Sequence, residues 1–329
     1  MNIAVVGVTG MVGRTMLEVL AERNVSIDRL IPVASEKSVG QYVTFNGTNW
    51  PICTIEDALK LPIDIALFSA GGDISKKYAS AFKEIGAYVI DNSSAFRMEE
   101  SIPLIVPEVN IDSLKAEDRI IANPNCSTIQ LMVALHSLHK TYSIDRLIIS
   151  TYQSMTGTGK KAVEQYQNEK EGVKGDMVYP HPSYMNCIPH CDIFMDNGYT
   201  KEEMKLVRES RKILNEPELK VTATAVRVPV LGGHSESINV SFNNDIDLAS
   251  VRKTLSQSQG LVLLDDPTQN IYPMPLNAHR KDHVFVGRLR IDESNPNTIN
   301  MWIVADNLRK GAATNAVQIA QYIIDNNWC

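Results

Sequence analysis

The chain has 329 residues, of which 44% are hydrophobic and 21% charged, and its formal net charge is −6. This composition is typical of a globular protein of about two domains, and it excludes a chain that is disordered or of low complexity throughout. The acidic balance argues against a nucleic-acid partner bound through bulk basic charge. No apolar run approaches the ~20 residues of a membrane helix, and no basic signal segment opens the chain, so we expect a cytoplasmic protein without a membrane partner.

The first half of the chain alternates short apolar runs with helical patterns. Its apolar runs are continuous, which is typical of strands buried on both faces of a parallel sheet. The predicted strands are Asn2–Val6, Leu30–Ala34, Ile63–Phe68 and Ala87–Ile90, and the predicted helices are Met11–Glu22 and Ile74–Glu84.

The pattern changes after about residue 140, where the predicted strands show more polar alternation and fewer helices separate them. Such a run of strands predicts a second domain with a mixed or antiparallel sheet. These strands are Leu147–Tyr152, Val221–Val228, Ile238–Phe242, His283–Ile291 and Thr298–Ala305, and the segment Arg309–Ile324 is again helical.

A glycine-rich segment, G-x-x-G-x-x-G, stands between the first predicted strand and the first predicted helix. Glycines permit a tight turn and let backbone N–H groups approach a pyrophosphate, to which the helix N-terminus offers its positive dipole. A ligand-free glycine turn is the alternative. We predict a dinucleotide site formed by Gly7, Thr9, Gly10, Met11, Val12 and Gly13, together with Ser69, Ala70 and Gly71 at the end of a later strand.

The end of the second predicted strand should discriminate between the two nicotinamide cofactors. An acidic residue there would hold the ribose 2′-hydroxyl of NAD, but Ser35 stands at this place. Lys37 and Ser38 could bind a 2′-phosphate, so we favour NADP, while the neighbouring Glu36 leaves a preference for NAD open.

Two residues have the chemistry of a covalent catalyst. Cys126 falls at the start of a predicted helix, where the helix dipole stabilises a thiolate, and thiolates attack carbonyl carbons. His234 follows a double-glycine turn and could serve as a general acid and base. A buried structural cysteine and a hydrogen-bonded turn histidine are the alternatives.

A second group of cysteines, Cys187 and Cys191, lies near His181 and His190 in an arrangement similar to a metal cluster. No second closely spaced cysteine pair accompanies them, so we predict no metal site. The five cysteines of the chain are sparse and odd in number, which fits a reducing compartment rather than a disulfide framework.

Taken in order, the motifs GVTGMVG, DNSSAFR, PNCST, TYQSMTGTG, RVPVLGGHSE and ADNLRKGAATNAVQIA resemble those of the aspartate-β-semialdehyde dehydrogenase family. The resemblance extends from residue 7 to about residue 320. It implies reversible, NADP-dependent conversion of aspartyl-β-phosphate to aspartate semialdehyde and inorganic phosphate. The thiohemiacetal and the acyl-thioester would form on Cys126, in the synthesis of lysine, threonine and methionine.

The resemblance also implies a role for individual residues. His234 would be the general acid and base, and Gln153 would orient the substrate. Arg227 would bind the α-carboxylate, Glu202 the amine, and Arg97 and Lys205 the phosphate; a solvated helix face is the alternative for Glu202 and Lys205. The remaining cofactor contacts would be Thr156, Gly157 and Asn307.

We therefore predict an α/β fold. Residues 1–125 plus 307–329 would form a Rossmann-like NADP-binding domain with a parallel sheet, and residues 126–306 an α+β catalytic and dimerisation domain with a mixed sheet. The resemblance implies a homodimer, with a tetramer as the alternative. An N-acetyl-glutamyl-phosphate reductase and a non-catalytic NADP-binding sensor are the rival functions.

Overall fold

The computed structural model describes all 329 residues, which form two compact units. Met1–Asn125 and Ala312–Cys329 form the first unit, and Cys126–Gly311 form the second. The chain therefore returns to the first unit after Gly311, whereas the sequence prediction placed this return at about residue 307. No helix is both long and apolar enough to span a membrane.

The first unit contains a five-stranded parallel sheet in the order β2-β1-β5-β6-β7, and β3 and β4 form a separate antiparallel hairpin. The strands are β1 (Asn2–Val6), β2 (Arg29–Val33), β3 (Tyr42–Phe45), β4 (Thr48–Pro51), β5 (Ile65–Phe68), β6 (Tyr88–Asp91) and β7 (Ile120–Ala122). The helices are α1 (Met11–Glu22), α2 (Ile55–Ala58), α3 (Gly72–Glu84), α4 (Pro107–Asn110) and, from the C-terminus, α10 (Thr314–Asp325).

Both faces of this sheet are buried, as the continuous apolar runs predict. Ile3 and Val5 of β1 pack in one apolar cluster with α1 and α10, while Ala4 and Val6 pack in a second cluster that includes Phe82 of α3. Successive residues of a strand point to opposite faces, so the buried positions Ile3–Val6 of β1 all need apolar side chains.

The second unit contains a six-stranded mixed sheet in the order β11-β12-β13-β10-β8-β9. Its outer pairs are parallel and its inner pairs are antiparallel. The strands are β8 (Ile144–Gln153), β9 (Lys220–Arg227), β10 (His234–Phe242), β11 (Leu261–Leu263), β12 (Val284–Ile291) and β13 (Thr298–Ala305). The helices are α5 (Cys126–Tyr142), α6 (Lys160–Glu171), α7 (Lys201–Leu214), α8 (Leu248–Ser256) and α9 (Pro275–Ala278).

Helices α5, α7 and α8 cover one face of this sheet. Along β8, Leu147, Ile149 and Thr151 are buried, whereas Ile148 and Tyr152 on the other face retain solvent exposure. Three helices therefore cover one side of the sheet, whereas the other side has the short helix α9 against β13 and keeps exposed residues along β8.

Together, the parallel and mixed sheets confirm the predicted α/β fold class. The final helix begins differently from the prediction, because Arg309–Ala313 form a π-helical turn before α10. Asp306 stabilises the start of this turn, because its carboxylate accepts hydrogen bonds from the backbone N–H groups of Leu308 and Arg309 at 2.8 and 3.2 Å.

Candidate active site

The glycine loop after β1 is shaped by close backbone contacts. Gly7 has a φ of +87°, and a Cβ there would lie 2.6 Å from the carbonyl oxygen of Ser69. A Cβ on Gly13 would lie 2.3 Å from the carbonyl oxygen of Gly7. The loop therefore requires glycine at both positions, as a cradle for a pyrophosphate does.

A cavity of about 620 Å³ opens beside this loop within the first unit. Seven of the predicted cofactor residues line it, namely Gly7, Thr9, Gly10, Ser35, Lys37, Ser69 and Ala70. Thr54, Ile55, Glu56, Ile74 and Tyr78 line it as well and were not found from the sequence. Glycine-loop residues and polar groups after β2 thus meet at the carboxyl ends of the strands, where a dinucleotide binds in this type of fold.

The other predicted cofactor residues do not line the cavity. Met11, Val12 and Gly13 belong to the first turn of α1, and Ser38 and Gly71 lie next to lining residues in the chain. Thr156, Gly157 and Asn307 belong to the second unit.

Cys126 is the first residue of α5, as predicted, and it is partly exposed. A Cβ added to Gly311, in the π-helical turn, would lie 2.9 Å from the Cβ of Cys126. The turn thus packs directly on the cysteine, and only glycine fits between them. A thiol at a helix N-terminus experiences the positive end of the helix dipole, which favours its reactive thiolate form.

Gln153, at the end of β8, links the start of α5 to α7. Its Nε2 lies 3.3 Å from Oγ of Ser127 and donates to Oε1 of Glu202 at 3.2 Å. Nζ of Lys205 in turn lies 2.9 Å from Oε2 of Glu202 and 2.8 Å from Oδ2 of Asp192.

The environment of Glu202 differs from a solvated helix face, because only 7% of the residue is exposed. Burial works against the charge of Lys205, but Glu202 and Asp192 outweigh it and raise the pKa of the ammonium group. Two carboxylates, Glu202 and Asp192, therefore contact one ammonium group.

Arg227, at the end of β9, is buried without a carboxylate partner. Its Nη1 donates to the carbonyl oxygen of Ser154 at 2.6 Å, and its guanidinium carbon lies 5.9 Å from the ring centroid of Tyr179. Its Nε is buried and makes no hydrogen bond. A buried arginine with an unsatisfied donor fits the recognition of an anion, for which the guanidinium fork is suited.

His234 is fully buried at the start of β10, and a backbone contact determines which ring nitrogen carries its proton. The Ser154 N–H donates to Nδ1 at 3.0 Å, so Nδ1 is an acceptor and the neutral ring carries its hydrogen on Nε2. Nε2 has no hydrogen-bond partner in the protein. Burial, aided by the positive charge of Arg227, lowers the pKa of His234 to about 3. The ring is therefore neutral at neutral pH and presents an N–H donor.

Asn307 holds the segments around His234 in place. Its Oδ1 accepts from Oγ of Ser154, from Oγ1 of Thr156 and from the N–H of Gly233, all between 3.0 and 3.1 Å. Gly157 is close-packed as well, since a Cβ there would lie 2.8 Å from Nη1 of Arg227 and 2.9 Å from Nε2 of His234.

Arg97 belongs to the first unit and is not part of this cluster. It is 7% exposed, and its guanidinium donates to the carbonyl oxygens of Asn123 and Asn92 at 2.9 and 3.0 Å.

Glu236, on the buried face of β10, is a site feature that sequence reasoning missed. The side chain is fully buried beside Gln130 of α5, and neither of its oxygens makes a hydrogen bond. Burial raises the pKa of Glu236 well above its ordinary value, an effect that Gln130 only partly offsets. The sequence does place Glu236 two residues after His234, on the same face of the strand. An acid at a core position of a strand is unusual, and this could have identified it.

The cysteine and histidine segment around residue 190 has no features of a metal centre. Cys191 is buried, and burial raises the pKa of its thiol to about 11, whereas Cys187 is exposed. The structure contains no group of three or more His, Cys, Asp or Glu side chains arranged to hold a metal ion. None of the five cysteines forms a disulfide.

These features define a class of protein: an oxidoreductase with a Rossmann-type nucleotide-binding unit. Two family models agree, one for the NAD binding domain of semialdehyde dehydrogenase over residues 2–117 and one for its dimerisation domain over residues 135–310. Among its relatives, aspartate-semialdehyde dehydrogenase of Aquifex aeolicus is 47% identical over 98% of each chain. Aspartate-semialdehyde dehydrogenase 2 of Vibrio cholerae is 47% identical over 98% of this chain and 97% of the relative.

Solved structures agree with these relatives. The crystal structure of aspartate semialdehyde dehydrogenase II from Vibrio cholerae matches with a TM-score of 0.93 at 46% identity over 98% of both chains. The structure of the same enzyme complexed with ASA also matches with a TM-score of 0.93, at 45% identity. The chain therefore belongs to the aspartate-semialdehyde dehydrogenase family.

The buried Glu236 predicts a pH dependence of stability. Its carboxyl ionises in the unfolded chain near its ordinary pKa but stays protonated in the fold, so it reduces stability progressively as the pH rises above about 4.5. Glutamine does not ionise, so the Glu236→Gln variant does not have this pH-dependent loss of stability. We expect its melting temperature to rise relative to wild type between about pH 5 and 8.

Thermal melts of wild type and Glu236→Gln across this pH range measure the difference directly. Glu117→Gln, at an exposed acid, is the matched control. A difference between wild type and Glu236→Gln that stays constant with pH would show that Glu236 is ionised in the fold.

The contact between Ser154 and His234 predicts the protonation state of the ring. We expect ¹⁵N NMR to show the neutral Nε2–H tautomer of His234 from about pH 8 down to about pH 5, because its pKa lies near 3. The signals that disappear in His234→Gln identify the ring. An Nδ1–H tautomer, or an imidazolium signal that appears with a midpoint between about pH 6 and 7, would contradict this assignment.

Proposed function

We propose that the protein catalyses the reversible, NADP-dependent conversion of L-aspartyl-β-phosphate to L-aspartate β-semialdehyde and inorganic phosphate. The observation that carries this proposal is the cluster in the second unit. A thiol at a helix start, a buried arginine without an ion pair and a buried glutamate paired with a lysine belong to one compact unit with a histidine whose Nε2 has no partner.

Cys126 is the proposed nucleophile. In the direction of aldehyde oxidation, its thiolate sulfur forms a bond to the carbonyl carbon, and the electrons of the C=O double bond move to the oxygen. A bound nicotinamide cofactor supplies the two-electron acceptor for this chemistry. An oxygen of inorganic phosphate then attacks the acyl-thioester, the carbon–sulfur bond breaks, and Cys126 leaves as the thiolate.

His234 acts on the substrate oxygen. Its neutral ring offers the Nε2 hydrogen, for which the protein provides no other acceptor. We assign this atom to the oxygen that gains charge when sulfur attacks, where a preorganised donor stabilises the transition state. The acid–base role expected for His234 thus consists of holding one proton between Nε2 and the substrate oxygen.

Substrate recognition follows from the charges of the second unit. Arg227, buried without an ion pair, would bind the α-carboxylate. Glu202, a buried carboxylate hydrogen-bonded to Gln153, would bind the α-ammonium group. Gln153 connects the residue after Cys126 to Glu202 and would orient the substrate. Lys205 is assigned to the phosphate, and Arg97 keeps the same assignment on the family resemblance alone.

The cavity beside the glycine loop would hold the cofactor. Its close-packed glycines fit a pyrophosphate, and Ser35 and Lys37 after β2 offer a hydroxyl and a cation to a 2′-phosphate. Met11, Val12, Gly13, Ser38 and Gly71 flank this cavity in sequence and complete the proposed set. The second unit would contribute Thr156, Gly157 and Asn307 to the cofactor site. Asn307 also accepts hydrogen bonds from Ser154 and Gly233, which both adjoin His234.

The less covered face of the mixed sheet supports a homodimer. Tyr152 and Trp302 pack against each other on this face with ring centroids 5.3 Å apart, and 38% of Tyr152 is exposed. Large aromatic side chains on one face of a sheet are typical of protein interfaces. We place the enzyme in the cytoplasm, in the synthesis of lysine, threonine and methionine.

The nearest rival is a reductase of an N-acetylated acyl phosphate. It would need a site for a neutral acetamide, whereas Glu202 brings the negative charge of a buried carboxylate. The same charge favours a free ammonium group, and so it favours the aspartyl substrate.

Reduction of NADP by aspartate semialdehyde in the presence of phosphate tests the proposal, with N-acetyl-glutamate semialdehyde in parallel. We expect turnover with the free-amine aldehyde only. Turnover should be abolished in Cys126→Ser, while NADP binding stays within a few-fold of wild type, because the thiol acts in the chemistry.

The sensor alternative has a distinct result in the same assay. Wild-type protein that binds NADP but turns over neither aldehyde would support the sensor and overturn the enzyme. Preference for the acetylated aldehyde would overturn the substrate assignment alone.

A further inference from the structure

Glu56 lines the cavity beside the glycine loop, together with the polar residues that follow β2. Val33, the last residue of β2, forms a parallel bridge with Cys53, and the N–H of Ala34 donates to the carbonyl oxygen of Cys53 at 3.2 Å. Ser35–Lys37 and Thr54–Glu56 directly follow the two bridged segments. Both segments contribute residues to the lining of the same cavity.

The Glu56 carboxylate is held in this place by α3. The hydroxyl of Tyr78 donates to its Oε1 at 2.6 Å, and Tyr78 also lines the cavity. This hydrogen bond lowers the pKa of Glu56, so the group is ionised at neutral pH. The side chain is exposed and makes no ion pair, so its charge is directed to solvent and to whatever occupies the cavity.

Three charged residues therefore line the cavity, one of them basic and two acidic. Lys37 is the cation, and Glu36 and Glu56 are the anions. Other charges are near but do not line it. Lys77 of α3 lies with its Nζ 4.7 Å from the ring centroid of Tyr78, and Asp57 is hydrogen-bonded to Lys60 at 2.7 Å.

The end of the second strand of a Rossmann unit holds the adenosine ribose of a dinucleotide. NAD presents a 2′-hydroxyl there, which can donate a hydrogen bond to a carboxylate. NADP presents a 2′-phosphate, which a carboxylate repels. Lys37 favours the phosphate, and Glu56 on the adjacent segment opposes it.

We propose that Glu56 is a specificity-determining residue for the cofactor: its charge weakens binding of the 2′-phosphate and partly offsets Lys37, so that it reduces the preference of the protein for NADP over NAD. This proposal rests on the proposed dinucleotide site and adds the group that sets its selectivity.

Direct binding of small probes isolates the effect of the 2′-phosphate. Adenosine 2′,5′-bisphosphate and 5′-AMP differ by this one group, and NADP and NAD differ in the same way. Isothermal titration of all four to wild type and Glu56→Gln gives the ratio of dissociation constants for each pair. We expect Glu56→Gln to tighten binding of the 2′-phosphorylated partner by about three- to ten-fold and to leave 5′-AMP and NAD equal or weaker.

Two further variants serve as matched controls. Asp57→Asn removes the neighbouring acid, which does not line the cavity, and should leave both ratios within two-fold of wild type. Lys37→Gln should change the ratios in the direction opposite to Glu56→Gln. Raising the salt concentration should shrink both effects, because the charges are exposed.

Ratios unchanged in Glu56→Gln, or changed equally in Asp57→Asn, would overturn the proposal while leaving the dinucleotide site intact. Wild-type protein that binds neither dinucleotide would overturn the cofactor assignment, and this proposal with it.

Discussion

The backbone of Ser154 is the constraint on which the chemistry of the second unit depends. Its N–H donates to Nδ1 of His234, and its carbonyl oxygen accepts from Nη1 of Arg227. One residue at the end of β8 thus sets the tautomer of a buried histidine and the orientation of a buried guanidinium. Asn307 in turn fixes the Ser154 side chain, which makes this arrangement rigid before any ligand arrives. Preorganisation of this kind is the means by which donors stabilise charge in a transition state.

His234 and Arg227 also keep buried polar atoms without hydrogen bonds, and the free-energy cost of these unpaired atoms suggests that they bind a ligand. Nε2 of His234 and Nε of Arg227 are buried without partners, whereas buried donors in folded proteins are almost always paired. Each unpaired buried donor costs about 1–3 kcal/mol. A substrate with a carboxylate and a carbonyl oxygen would accept hydrogen bonds from both donors. Binding would therefore remove the free-energy cost of leaving them unpaired.

Features encoded in neighbouring residues could be predicted from the sequence. The glycine loop, the strands that are buried on both faces and the helix start at Cys126 all depend on local patterns, and the structure places them as expected. Contacts between distant segments could not be predicted. Glu56 enters the cofactor cavity through a bridge to β2, and Glu236 becomes an isolated buried acid because α5 packs over β10. The β3–β4 hairpin was missed because its side chains are mostly exposed and give little apolar signal.

The central claim is that Cys126 carries the acyl group during turnover. Mass spectrometry of the Cys126 peptide, after rapid mixing of the enzyme with aspartate semialdehyde and NADP in the absence of phosphate, tests it directly. We expect one aspartyl group on this cysteine, formed together with at most one equivalent of NADPH per active site, and released when phosphate is added. NADPH formation without an adduct, or an adduct on another residue, would contradict the account.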